Sequence, residues 1–320
     1  MNEELALWRT RLLAPVPAHT AEGIEWTTRA AAEGHAEAAY LLALLAATGT
    51  GMTQDLKRSL ELLGQAAELG HGPAQRELAV LVGNWRLVRE LSAGKRPRDD
   101  TWMRLRDAVD LERWLAVPHP VLLSSAPRIG TAKGYLSREI CDWLVRLGAP
   151  YLEPARIFDP RTGEVRYATG RTNYAAELWP ARSDMVLALV RARLAALADL
   201  PVRALEPTQV LHYEVGQEFA AHHDYLDVSL PGYAREVESR GQRALTALVY
   251  LNDDFDGGHT AFPLLELRYK GRKGDVLVFW NLADDGTPEP RTLHIGTAPT
   301  RGEKWLLSQW MRIRVAAPPR

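Results

Sequence analysis

His222, His223 and Asp224 stand together in FAAHHDYLD, and His294 follows in RTLHIGT. Extended chain places alternate side chains on one face, so His222 and Asp224 project together while His223 points away. His223 also has Tyr225, not a carboxylate, two residues on, which favours the His222/Asp224 register. With His294 brought opposite, two imidazoles and one carboxylate converge. Such a set leaves neighbouring coordination positions open on a metal, an arrangement suited to iron(II) and oxygen chemistry. Zinc accepts the same donors, so these residues alone predict a metal site without its metal.

Tyr213 lies nine residues before His222, in LHYEVGQEF; Lys304 lies ten beyond His294, in GEKWLLSQW, and Trp310 six further on. In KWLLSQWMRIR strict alternation puts Lys304, Leu306, Ser308, Trp310 and Arg312 on one face of a strand. An ammonium enclosed by apolar walls is costly unless a carboxylate pairs with it, so this face is expected to hold an anion. A zinc hydrolase would have no use for Tyr213 and Lys304.

The stretches LHYEVGQEFAAHHDYLD, GQRALTALVYLND, GGHTAFP, KGDVLVFWN and LHIGTAPTRGEKWLLSQWMR resemble, in order and spacing, the iron(II)- and 2-oxoglutarate-dependent dioxygenases of the prolyl 4-hydroxylase type. The resemblance covers about the last two-thirds of the chain. It implies iron(II) on His222, Asp224 and His294. It implies 2-oxoglutarate with its far carboxylate on Lys304 and Tyr213, assisted by Thr260 and Trp310. Dioxygen is then the third reactant, succinate and CO2 the co-products, and ascorbate the accompanying reductant. The protein's part is ligation, orientation and exclusion of side reactions, with no side-chain base required. The resemblance also places Arg171, Arg243 and Arg312 near a peptide groove, with GRTNYAAELWP as a mobile cover. Thr172-Asn173 departs from the family's Arg-x-Ser, and His259 replaces a more usual acidic residue in GGHTAFP. These departures bear on the preference for proline more than on the iron chemistry.

The N-terminal quarter is built differently. AAAEGHAEAAYLL, from Ala30, recurs in QAAELGHGPAQREL, with Ala30 falling on Ala66, Gly34 on Gly70, His35 on His71 and Leu42 on Leu78, a period of 36 residues. Such a period predicts stacked helical hairpins, and the repeats resemble the Sel-like branch of the tetratricopeptide superfamily. Ala38, Ala39 and Ala74 allow close helix approach, Gly34 and Gly70 suit left-handed helix ends, and Asp55 reads as a helix cap. His35 and His71 read as structural, satisfying terminal carbonyls. Arrays of this kind bind polypeptides on a concave surface or brace a neighbour.

The expected organisation is α+β. A helical-repeat domain occupies 1–90 and a connecting helix or linker 91–117, with a polar turn over Gly94–Asp100. A dioxygenase domain follows over 118–320 (core 205–316), as a double-stranded β-helix (jelly roll). Two helices, one capped by Ser137 and one over about 183–198, are expected to buttress it. Lys and Arg total 39 against 40 acidic residues, so no global attraction to nucleic acid or an anionic membrane is expected. Cys141 is the only cysteine, which excludes an intramolecular disulfide and fits a reducing compartment. With no secretory pattern and no spanning segment, a cytoplasmic location is expected.

The leading expectation for function is hydroxylation of a prolyl residue in a protein or peptide, with the repeats expected to recruit that polypeptide. The alternatives are the same chemistry on a free amino acid or small metabolite, and a non-catalytic adaptor. The sequence leaves the oligomeric state open.

Overall fold

The computed structural model describes residues 2–13, 20–95, 97 and 101–314. They form two compact units: Met1–Ala116 with Trp179–Leu197 and Pro201–Arg203, and Val117–Leu178 with Ala198–Leu200 and Ala204–Arg320.

In the first unit the repeats fold as the helices Thr20–Ala32, Ala36–Thr48, Leu56–Glu68 and Gly72–Leu81. Gly34 and Gly70 both have φ +89°, the left-handed conformation that lets the chain leave one helix and begin the next. Ala38, Ala39 and Ala74 are fully buried, and the Asp55 side chain accepts from Arg58 N at 2.8 Å. His35 and His71 differ from expectation, since each opens the following helix instead of closing the preceding one. His71 Nδ1 accepts from Ala74 N at 3.2 Å and its Nε2 bonds Glu37 at 2.7 Å, while His35 makes no capping bond.

The helix Met185–Leu197 belongs to this first unit and not, as expected, to the barrel. Buried Glu77 ties it there, accepting from Met185 N at 2.9 Å and from the Tyr40 hydroxyl at 2.7 Å. The short helices Thr101–Asp107 and Leu111–Leu115 also lie in this unit, with Trp114 Nε1 donating to Leu81 O at 2.9 Å. The polar turn expected over Gly94–Asp100 falls largely outside the described residues. No helix among those residues is long and apolar enough to cross a membrane.

The described residues of the second unit form two main antiparallel sheets, of eight and four strands, and two two-stranded ribbons. The larger runs, in spatial order, Val121–Ser125, Arg128–Ala132, Val276–Trp280, Gln242–Tyr250, Lys304–Ile313, Thr208–Tyr213, Tyr174–Leu178 and Glu153–Pro154; the smaller runs Leu267–Tyr269, Thr260–Phe262, His294–Gly296 and Phe219–His222. Leu211, Leu248, Leu277, Phe279 and Leu306 from the first meet Phe262 from the second in one buried core, the sandwich expected of a jelly roll. Ser137 caps the helix Arg138–Gly148 through Ile140 N at 3.3 Å. Gly148 at its end is needed for proximity, because a Cβ there would lie 2.7 Å from Val210 Cβ on the sheet.

Gly274, just before the strand Val276–Trp280, has φ +92°, and a Cβ there would approach Leu136 O to 2.1 Å. Gly274→Ala is therefore expected to lower stability by roughly 1–3 kcal/mol through left-handed strain and overpacking. Urea unfolding should show a reduced midpoint at an unchanged slope, and a wild-type midpoint would contradict this reading.

Candidate active site

Strand register brings the chemically capable residues together in two pairs. His222 lies directly opposite His294 on the smaller sheet, and Tyr213 directly opposite Lys304 on the larger. Asp224 follows just beyond the end of the His222 strand. His222 Nε2 is 3.7 Å from Asp224 Oδ1 and His294 Nε2 is 3.6 Å from Asp224 Oδ2, so one donor atom from each residue falls within 4.8 Å of the others.

The hydrogen bonds behind the imidazoles fix their tautomers. His222 Nδ1 bonds Ala220 O at 2.8 Å and His294 Nδ1 bonds Thr292 O at 3.0 Å. A carbonyl only accepts, so both Nδ1 atoms carry a proton and both Nε2 atoms face the carboxylate. Burial, reinforced by the neighbouring His294, drops the His222 pKa to about 3 and keeps it neutral. Burial pushes the Asp224 carboxyl up, but His294, His222 and a hydrogen bond from Thr246 more than reverse this, leaving it below its ordinary value and ionised. Two imidazole Nε2 atoms and a carboxylate therefore converge on one point. A cation satisfies all three, so the donor set fits a metal. His223 turns away, its Nε2 bonding Pro290 O at 2.9 Å.

A cavity joins these ligands to Tyr213, Thr260, Lys304 and Trp310. Lys304 is fully buried, and its Nζ has no hydrogen-bond partner among the described residues. The faces of Tyr213 and Tyr250, 5.0 and 5.8 Å from Nζ to ring centre, are its nearest electrostatic relief. Burial lowers the Lys304 pKa to about 7 and raises that of Tyr213 to about 12. Thr260 Oγ1 lies 3.0 Å from the Tyr250 hydroxyl, which holds it at the wall. An ammonium without an acceptor, set in a cavity beside a metal-ready cluster, fits a carboxylate ligand.

A pH dependence follows from this lysine. Its pKa is about 7 in the free protein and rises when a carboxylate arrives, so affinity for the carboxylate is full below pH 7 and weakens as pH rises through that value. Calorimetry in buffers of different ionisation enthalpy should show proton uptake on ligand binding at pH 8 and little at pH 6. Equal proton uptake at both would contradict the assignment.

The remaining expected residues divide. Arg171 is buried and lines the cavity; it lies over Phe219, its Nη atoms donate to Arg156 O and Gln209, and its Nε has no partner. Arg243 and Arg312 do not line the cavity. Arg243 grips Glu206 through Nε and Nη2 and lies over the Trp310 ring at 3.7 Å. Arg312 is buried, donating to Glu206, Gly241 O and Glu236 beside a register shift that interrupts the strand ladder at Met311/Arg312. Gln209, Leu211, Phe219 and Leu248 also line the cavity and were not singled out from the sequence. Period-two alternation back from Tyr213 would have found Leu211 and Gln209.

The family described as the 2OG-Fe(II) oxygenase superfamily matches residues 208–312, and the Sel1 repeat matches residues 14–35 and 36–71. A probable prolyl 4-hydroxylase 10 of Arabidopsis thaliana is 31% identical over 223 residues, covering 63% of this chain and 73% of its own length. Prolyl 4-hydroxylase 1 of the same plant is 30% identical, over 72% of this chain and 81% of its own. The chain is a 2OG-Fe(II) oxygenase of the prolyl 4-hydroxylase type. Among solved structures, a viral collagen prolyl hydroxylase from Paramecium bursaria Chlorella virus-1, in its 2OG complex, is 25% identical, covers 57% of this chain and 95% of its own, and has a TM-score of 0.43. The oxygenase's metal is thus iron(II) and its co-substrate 2-oxoglutarate, which when bound would together activate dioxygen, the oxidant of the reaction. The described residues fit both, with two imidazole Nε2 atoms and a carboxylate for iron and, among them, a lysine without a hydrogen-bond partner for a carboxylate.

Proposed function

We propose that this oxygenase hydroxylates a prolyl residue of a protein or peptide, with His222, Asp224 and His294 holding iron(II) and Lys304 and Tyr213 holding the far carboxylate of 2-oxoglutarate. The observation that carries the substrate reading is a pair of buried donors in the same cavity, Arg171 Nε and Trp310 Nε1, neither of which has a hydrogen-bond partner among the described residues. Unpaired buried N–H groups are costly, and the backbone carbonyls of a peptide are acceptors that would satisfy them. Arg243 supports this arrangement from behind, holding the Trp310 ring between its guanidinium and the cavity. The resemblance to plant prolyl 4-hydroxylases supports the choice of proline.

The test is incubation of the iron-loaded protein with 2-oxoglutarate and proline-containing peptides, followed by mass spectrometry. A gain of one oxygen on proline, matched by succinate, is expected. Oxygen gain on free proline but on no peptide would transfer the function to a free amino acid, whose carboxylate would then be the partner of Arg171.

The repeats are proposed to recruit the polypeptide and to leave the chemistry alone, as such arrays do elsewhere. Charge-reversing substitutions at exposed residues of the repeat helices, which leave buried Glu77 and its bond to Met185 intact, should keep turnover on a short peptide but raise KM on a whole protein target. Equal loss on both substrates, or a much lower melting temperature, would make the repeats structural.

A further inference from the structure

Behind the metal ligands lies a second row of polar groups. Thr246, in the middle of the strand Gln242–Tyr250, is buried and donates from Oγ1 to Asp224 Oδ2 at 2.7 Å. Asn281, fully buried just past the strand Val276–Trp280, donates from Nδ2 to Thr246 Oγ1 at 3.0 Å. Backbone bonds hold Asn281 on both sides, its N donating to Ala244 O at 2.8 Å and its O accepting from Glu289 N at 2.9 Å.

The direction of this chain is determined by its members. Ionised Asp224 can only accept, and the threonine hydroxyl has a single proton to give. The Asn281 amide occupies a lone pair of that hydroxyl, so its proton is left pointing at Asp224. With the amide reversed, Asn281 Oδ1 would compete with Asp224 for the same proton. Asn281 Oδ1 is buried and has no hydrogen-bond partner among the described residues, a cost the protein bears to keep this orientation. Threonine adds stiffness, because its β-branched side chain has restricted χ1 freedom on a strand. One oxygen of Asp224 is therefore anchored, while Oδ1, facing His222 Nε2 at 3.7 Å, accepts no hydrogen bond among the described residues.

We propose that Thr246, directed by Asn281, is a positioning residue that fixes the Asp224 carboxylate for iron(II) and presents it through one oxygen. A carboxylate free to swing could offer both oxygens and take up a position that co-substrate or dioxygen requires. The inference rests on the three-residue metal site and is independent of the substrate.

Cobalt(II), which is stable to air and absorbs visible light, is the probe, titrated into metal-free full-length protein. Thr246→Val, close to threonine in shape but without the hydroxyl, should bind cobalt(II) roughly 10–100-fold more weakly, with an altered visible band. Thr246→Ser, which restores the hydroxyl, should return affinity and band towards wild type. Asn281→Leu should weaken binding in the same direction, and the double variant Thr246→Val/Asn281→Leu should be no weaker than Thr246→Val alone, because both act through one hydrogen bond. Wild-type affinity and spectrum in Thr246→Val would overturn the proposal. So would a Thr246→Ser protein as impaired as Thr246→Val, which would assign the effect to packing. His222→Ala serves as the reference for the metal site: if it binds cobalt(II) as wild type does, the site assignment itself fails, and this proposal with it.

Discussion

Replacing Lys304 with alanine is expected to weaken 2-oxoglutarate binding by roughly 2–4 kcal/mol, the range for removing one partner of an enclosed charge pair. That corresponds to about 30- to 1000-fold in Kd. The size of the effect comes from the surroundings of Nζ, which is fully buried, unpaired, and flanked by tyrosine rings. In the variant the incoming carboxylate would enter the same enclosed space and find only neutral donors such as the Tyr213 hydroxyl. Lys304 is not one of the three metal donors, so iron(II) affinity should stay near wild type. Calorimetric titration of metal-loaded protein separates the two effects. An unchanged 2-oxoglutarate affinity would place the co-substrate carboxylate elsewhere.

Removal of any one metal ligand should have a still larger effect on activity. His222→Ala, Asp224→Ala and His294→Ala each take one donor from a set of three, and 2-oxoglutarate turnover should be abolished in all of them. His223→Ala is the informative comparison, because it changes the adjacent residue of the same chemical type. Its side chain bonds Pro290 O and not the cluster, so turnover should persist, with a stability loss of about 1 kcal/mol from one hydrogen bond. Loss of activity in His223→Ala with retention in His222→Ala would reverse the register.

These residues were legible in the sequence because they lie on or beside strands, where period-two alternation turns spacing into direction. Lys304, Leu306, Ser308 and Trp310 line the cavity as that rule requires. It does not show which strands pair, and so could not reveal that His222 faces His294 or that Tyr213 faces Lys304. Nor could it show that Glu206 engages Arg243 and Arg312, since nothing in local spacing joins a glutamate before one strand to arginines on two others. The Asn281–Thr246–Asp224 chain was hidden for the same reason, each member coming from a different segment. Among the helices the glycine positions were legible from their repetition. The place of Met185–Leu197 was not, because its attachment depends on Glu77, a carboxyl buried in a face that the pattern alone reads as apolar.

The most direct measurement of the central assignment is succinate formation from 2-oxoglutarate by purified protein with iron(II), dioxygen and ascorbate, in parallel with His222→Ala and Lys304→Ala. Succinate should form with the wild type and require iron. It should be absent with His222→Ala at any co-substrate concentration, and should return towards the wild-type rate with Lys304→Ala as 2-oxoglutarate is raised. Equal succinate formation by wild type and His222→Ala, or none by the iron-loaded wild type with any proline-containing peptide, free proline or no added substrate, would contradict it.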